Sequence, residues 1–133
     1  MTTLYIVRGL PGSGKSTYAK SLGIPHFEAD MYFMRGGEYK FNPALLKRAH
    51  RWCFFNVGDL LDDGKDVVVS NTFTTHKEME DYLDIAKEFN CDVVIVEMKT
   101  SYGSIHNVPE ETLEKMKARW QDAPEGYTIK VIQ

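Results

Sequence analysis

The chain has 133 residues, 43% of them apolar, and a net charge of −3. That length suits one compact domain with one core, and the acidic balance excludes a protein that coats duplex DNA through a global basic field, although a local basic patch stays open. No run approaches the roughly 20 apolar residues of a membrane span.

Met1-Thr2-Thr3 leads into a short apolar stretch without the regions of a signal peptide, so a reducing cytoplasm is the expected location. Cys53 and Cys91 match no metal-ligand or redox spacing, and both are expected to be buried free thiols.

Leu4-Tyr5-Ile6-Val7 reads as a buried strand ending at Gly9. A helix is expected over residues 15–22, with Gly23 as its stop. Pro25 permits a second strand over residues 26–29 that delivers Asp30 at its carboxyl end. Residues 31–41 are irregular, and Gly36-Gly37 marks a loop or short hairpin. Asn42-Pro43 supplies a cap and a first-turn proline for a long helix ending at Asp62-Asp63-Gly64. Val67-Val68-Val69 is a third strand, ending in Ser70-Asn71-Thr72. Thr75 and Glu78 form a capping box for a helix that buries Met79, Tyr82, Leu83, Ala86 and Phe89 and closes at Asn90. Val93-Val94-Ile95-Val96 is a fourth strand. Pro109, Glu110 and Glu111 open a last helix that buries Leu113, Met116 and Trp120, and residues 127–132 make a fifth strand at or near an edge. Apolar strands alternating with helices imply an α/β fold, a parallel sheet covered on both faces, in a single domain over residues 1–133.

Gly9-Leu10-Pro11-Gly12-Ser13-Gly14-Lys15-Ser16-Thr17 fits GxxxxGK[ST] and lies between a strand and a helix, the context that gives the pattern meaning. Glycines let consecutive N–H groups wrap a phosphate, and the following helix start adds partial positive charge. Lys15 can reach the β- and γ-phosphates, and the Ser16 hydroxyl can bind Mg²⁺. The loop from Gly9 to Thr17 is therefore expected to bind ATP with Mg²⁺, with Gly9, Pro11, Gly12, Ser13, Gly14, Lys15, Ser16 and Thr17 as its nucleotide contacts.

Phosphoryl transfer also needs a group that orients or deprotonates the acceptor. Asp30, at a strand's carboxyl end where ligands collect in open α/β sheets, is the candidate base; a solvent-exposed turn aspartate is the alternative. Asn71 and Thr72 end the third strand beside the expected triphosphate and are candidate substrate contacts, with a turn and helix-start pair as the plainer reading. An acidic residue often stands there to hold Mg²⁺ through water, and Asn71 offers only an amide. Between residues 35 and 51, Arg35, Lys40, Lys47, Arg48 and Arg51 oppose only Glu38 and interleave with Tyr39 and Phe41, with Trp52 next in line. Cations beside aromatic faces suit bases or single strands, so Arg35, Arg48 and Arg51 are candidate acceptor contacts, with a solvated helix face as the plainer reading. His106, before Val108-Pro109, is a candidate phosphate contact when protonated.

The loop from Arg8 to Ser16 resembles the start of the polynucleotide kinase-like P-loop proteins, the group of the phage polynucleotide 5′-hydroxyl kinase domain. The likeness continues through Ala29-Asp30-Met31-Tyr32-Phe33, Glu38-Tyr39-Lys40-Phe41-Asn42-Pro43, Ala49-His50-Arg51-Trp52 and Ser70-Asn71-Thr72. It ends with His106-Asn107-Val108-Pro109 and Met116-Lys117-Ala118-Arg119-Trp120, so it covers nearly the whole chain. The resemblance implies an adenylate-kinase-like core of five parallel strands in the order 2-3-1-4-5, ATP·Mg²⁺ as donor, Asp30 as general base, a short lid near residues 99–109, and a small phage-encoded or accessory enzyme. Two positions depart from the family. Ser101-Tyr102-Gly103-Ser104 stand where members carry lid arginines, and Asn71 stands where the phage enzyme has an aspartate. The expected activity is transfer of the γ-phosphoryl to a hydroxyl of a nucleic acid or nucleotide, a polynucleotide 5′-hydroxyl first. A modified base, a mononucleotide, a small metabolite, or a binding module without turnover are the alternatives.

Overall fold

The computed structural model describes residues 2–99 and 108–133. In chain order the elements are β1 (Thr3–Gly9), α1 (Lys15–Ser21), β2 (His26–Phe27), a 3₁₀ turn (Ala29–Phe33), the hairpin strands β3 (Met34–Arg35) and β4 (Glu38–Tyr39), α2 (Leu46–Asp62), β5 (Val67–Asn71), α3 (His76–Glu88), β6 (Asp92–Met98), α4 (Glu110–Arg119) and β7 (Thr128–Ile132). The main sheet runs β2-β5-β1-β6-β7, all parallel. Counting only the strands of that sheet, this is the expected order 2-3-1-4-5.

Alternation along the strands sorts the core into two layers. Leu4, Ile6, Val67, Val69 and Ile95 face α2 and α3, where they meet Cys53, Val57, Leu61, Met79, Tyr82, Leu83 and Ala86. Val7, Val68, Val96 and Met98 face the other way and meet Ala19 of α1. The second layer is thinner, and Tyr5 and Val94 on it are only half-buried. β1 lies between β5 and β6, which places its carboxyl end, and the glycine loop after it, at the middle of the sheet's top edge.

Several expectations need correction. β2 stops at Phe27, because the chain turns at once into the 3₁₀ segment, where the Met31 N–H bonds the Glu28 carbonyl at 3.1 Å. Asp30 therefore sits in the first turn of that segment and not at a strand end. The box at α3 is half formed. Thr75 Oγ1 accepts the Glu78 N–H at 3.3 Å, but the Glu78 carboxylate turns to Thr74, accepting its N–H at 2.7 Å and its hydroxyl at 3.0 Å. α4 buries none of its residues: Leu113 and Met116 are half-covered, and Trp120 lies beyond the helix end. Cys53 is buried and free as expected, whereas Cys91 is only half-buried. Among the described residues no helix is long and apolar enough to cross a membrane.

Candidate active site

The sequence at the end of β1 leaves the backbone little choice. Gly12 and Gly14 sit at φ 80° and 86°, in the left-handed region that costs other residues roughly 1–2 kcal/mol. Gly9 is fixed by crowding instead: a Cβ there would collide with Ser13 Oγ and lie 3.0 Å from both Met98 Cβ and the Met98 carbonyl. The Ser13 N–H bonds the Leu10 carbonyl at 3.1 Å, and the Gly9 N–H points to the Thr72 carbonyl at 3.4 Å, which ties the loop to the end of β5.

Lys15 folds back over this turn and donates from Nζ to the Leu10 carbonyl at 3.2 Å. Burial pushes its pKa below the ordinary lysine value, and the charges of Glu28 and Asp30 act in the opposite direction. Ser13 Oγ is buried with no hydrogen-bond partner among the described residues. A close-wrapped backbone, an inward ammonium and an orphaned hydroxyl fit an anion the size of a phosphate chain.

Beside Lys15, the Ser16 hydroxyl donates to Glu28 Oε2 at 2.6 Å. The same oxygen accepts the Ser70 hydroxyl at 2.9 Å and lies 3.7 Å from His26 Nε2. His26 Nε2 is also 2.7 Å from Ser70 Oγ, and burial lowers the imidazole's pKa below its ordinary value. Glu28 was not among the expected site residues. One glutamate in a strand-to-turn passage carries no pattern, and only the adjacency of β2 and β5 brings it to Ser16 and Ser70.

Asn71 does not face an open site as expected. Its Oδ1 accepts the Ala29 N–H at 3.0 Å, and its Nδ2 points at Cys53 Sγ at 3.9 Å. The amide thereby fixes the backbone one residue before Asp30. Thr72 contributes its carbonyl to the loop. Asp30 is exposed and accepts the Tyr39 hydroxyl at 3.3 Å. Burial first, then the Asp30 charge, pushes Tyr39 up to about 12. Tyr39 lies nearly parallel to Phe41, with centroids 6.3 Å apart and planes at 9°, and Phe33 meets both edge-on. An aromatic platform thus stands beside the exposed carboxylate.

The basic residues do not converge in the same way. Arg35 is exposed on the hairpin, opposite Glu38, and Arg48 and Arg51 are exposed on α2. None of the three side chains makes an ion pair or hydrogen bond among the described residues. Lys115 and Lys117 pair with Glu111 and Glu114 on the surface of α4. His106 and all but the two ends of the expected lid lie outside the described residues.

Arg8, seen in the sequence only as part of a motif, is fully buried. Its guanidinium donates to the Phe73 carbonyl at 3.0 and 2.8 Å and to the Gln121 carbonyl at 2.6 Å, and it pairs with Glu97 at 3.0 Å. It lies 3.9 Å from the centre of the Trp120 ring, and burial lowers its pKa. This one side chain joins β1, the segment after β5, β6 and the tail after α4. A charge at the end of an apolar strand gives no such signal in sequence.

A central parallel strand running through a GxxxxGKS loop into a helix defines a P-loop nucleotide-binding domain of the kinase type. A family model described as "AAA domain" matches residues 4–123. The chain belongs to that family. The bifunctional polynucleotide phosphatase/kinase of Schizosaccharomyces pombe is 26% identical over 140 residues, covering 94% of this chain and 32% of that one. A chain of the Pnkp1/Rnl/Hen1 RNA repair complex superimposes with a TM-score of 0.71 at 20% identity, covering 89% of this chain and 43% of that one. An unliganded sugar kinase from Janibacter sp. HTCC2649 gives a TM-score of 0.67 at 17% identity, covering 99% of this chain and 85% of that one. The two structural likenesses establish the fold alone. The chain spans less than a third of the length of the first curated relatives it matches.

Proposed function

We propose that this chain is an ATP·Mg²⁺-dependent kinase that transfers the γ-phosphoryl to a hydroxyl of a nucleic acid or nucleotide, with a polynucleotide 5′-hydroxyl end as the acceptor to test first. The observation that carries this reading is the placement of Lys15, folded into the glycine loop and within electrostatic reach of Glu28 and Asp30. A cation for the phosphate chain thus stands near the exposed Asp30 carboxylate, which is available to an acceptor.

In this reading Lys15 and the N–H groups of residues 12–17 hold the phosphates. Ser16 is the hydroxyl ligand of Mg²⁺, which when bound neutralises charge on the phosphate oxygens. Asp30 takes the acceptor proton as the new P–O bond forms and the bond to the ADP oxygen breaks. Asn71 positions Asp30 through Ala29, and Tyr39 orients its carboxylate. Arg35, Arg48 and Arg51 offer charge to an acceptor's phosphates, and Tyr39 and Phe41 offer ring faces to a base. The Schizosaccharomyces pombe relative, a bifunctional polynucleotide phosphatase/kinase, supports a nucleic-acid acceptor.

The test is transfer of label from γ-labelled ATP to 5′-hydroxyl DNA and RNA oligonucleotides. Asp30→Asn is expected to lower kcat by about 10²–10⁴ while ATP binding is kept. Transfer that survives Asp30→Asn would remove the base assignment. Residues 99–107 contain no arginine, which favours as second reading a nucleotide-binding module without turnover. ATP binding with no label on any acceptor would select it.

A further inference from the structure

The metal side of the site poses a problem of charge. In P-loop proteins the divalent cation is served by the loop hydroxyl and by an acidic residue at the end of a neighbouring strand. Here that strand is β5, and its end offers Asn71, which is neutral and whose oxygen is already occupied by the Ala29 N–H at 3.0 Å. A divalent cation held on the protein side by one hydroxyl and a neutral amide lacks the carboxylate oxygen that such sites add to the nucleotide's phosphate oxygens.

The structure supplies such an oxygen from the next strand. β2 lies beside β5, and Glu28, just past its end, extends to Ser70, one residue before Asn71. Oε2 accepts both the Ser16 and the Ser70 hydroxyls, at 2.6 and 2.9 Å. Two consequences follow. The Ser16 proton is committed to the carboxylate, so the lone pairs of Oγ are turned away from it and free for a cation. Oε1 makes no hydrogen bond among the described residues, which leaves it available to a cation or to its water. Ser70 and His26 hold the carboxylate in place from behind, as outer partners hold metal ligands.

We propose that Glu28 is the carboxylate that serves the nucleotide's divalent cation in this chain, replacing from β2 the acidic residue that β5 lacks. The proposal rests on the nucleotide reading above. Its reach is specific: the cation site is split between the loop and β2, and Asn71 is released to position Asp30.

The test is the affinity of Mn²⁺ in the presence of ADP, read by the electron paramagnetic signal of free Mn²⁺, with ADP binding in EDTA as the control. Glu28→Gln keeps an acceptor for both serine hydroxyls and removes the charge. It is expected to weaken Mn²⁺ by about tenfold or more and not to weaken metal-free ADP binding, since a negative charge beside the phosphates is removed. A smaller loss would overturn the proposal and leave the nucleotide reading intact. Should the variant also lose metal-free ADP binding, the wild-type protein decides. With ¹³C-labelled glutamate carboxyls, substoichiometric Mn²⁺ added with ADP should broaden the Glu28 resonance before those of Glu97 and Glu78, and an unbroadened Glu28 would overturn the proposal. Failure of the wild type to bind ADP at all would remove the nucleotide reading and this proposal with it.

Discussion

Replacing Arg8 with methionine tests how the loop is held. The guanidinium is fully buried, spends four hydrogen bonds on Phe73, Gln121 and Glu97, and lies against Trp120. Methionine would fill much of the volume but supply no donor. The Phe73 and Gln121 carbonyls would lose this partner, and Glu97, itself 8% exposed, would keep only Lys99, at 3.5 Å, among the described residues. Breaking a buried ion pair from one side costs about 3–5 kcal/mol. Lys99 still neutralises part of the Glu97 charge, so the lower end, about 3 kcal/mol, is expected. For a domain of this size that corresponds to a fall in Tm of about 9–15 °C. The assay is urea unfolding followed by circular dichroism, with linear extrapolation to water. Adding Glu97→Gln should recover about 1 kcal/mol or more, because the uncompensated charge is then gone. A loss under about 1 kcal/mol for Arg8→Met, or no coupling to Glu97, would refute the view of Arg8 as the tie that joins these segments.

Two further substitutions probe the same end of the sheet. Gly9→Ala puts a methyl against Met98 and Ser13 and should cost about 1–3 kcal/mol by overpacking. It should also weaken nucleotide binding, and a variant of wild-type Tm and affinity would contradict the crowding argument. His26 has its pKa lowered, chiefly by burial, with Glu28 raising it and Lys20 lowering it further. The unfolded chain therefore binds the imidazole proton first, so this contribution to stability is present above the unfolded pKa, about 6.5, and is lost as pH falls below it. Stability measured between about pH 7 and 5 should fall less steeply in His26→Gln than in wild type, and equal slopes would count against the assignment.

The sheet was legible because its strands are written as unbroken apolar runs: Val67-Val68-Val69 sits in the register those residues suggest, paired with β1 on one side and β2 on the other. The loop was legible because left-handed turns demand glycine at positions 12 and 14 and a phosphate cradle demands lysine and serine after them. Asp30 was singled out by its position after β2, although the chain reaches it by a 3₁₀ turn and not by a longer strand. The networks around Glu28 and Arg8 were not legible. Each is a single charged residue whose meaning comes from partners 12 to 113 residues away in sequence. Asn71 was read as a group facing substrate, but its oxygen caps the Ala29 N–H, a choice decided by the spacing of β2 and β5. The spacing of Leu113, Met116 and Trp120 suggested a buried helix face, yet α4 rests on the surface and Trp120 instead covers Arg8.

The loop from Gly9 to Thr17 is proposed to hold a nucleoside triphosphate through Lys15. The most direct measurement is calorimetric titration of ATP with Mg²⁺ into the wild type and into Lys15→Ala, with unfolding curves to show that both are folded. Saturable binding weakened about tenfold or more in the variant is expected, since one charge-assisted hydrogen bond is worth about 1.5–3 kcal/mol. Equal affinity in the two proteins, or no binding to the folded wild type, would contradict the account.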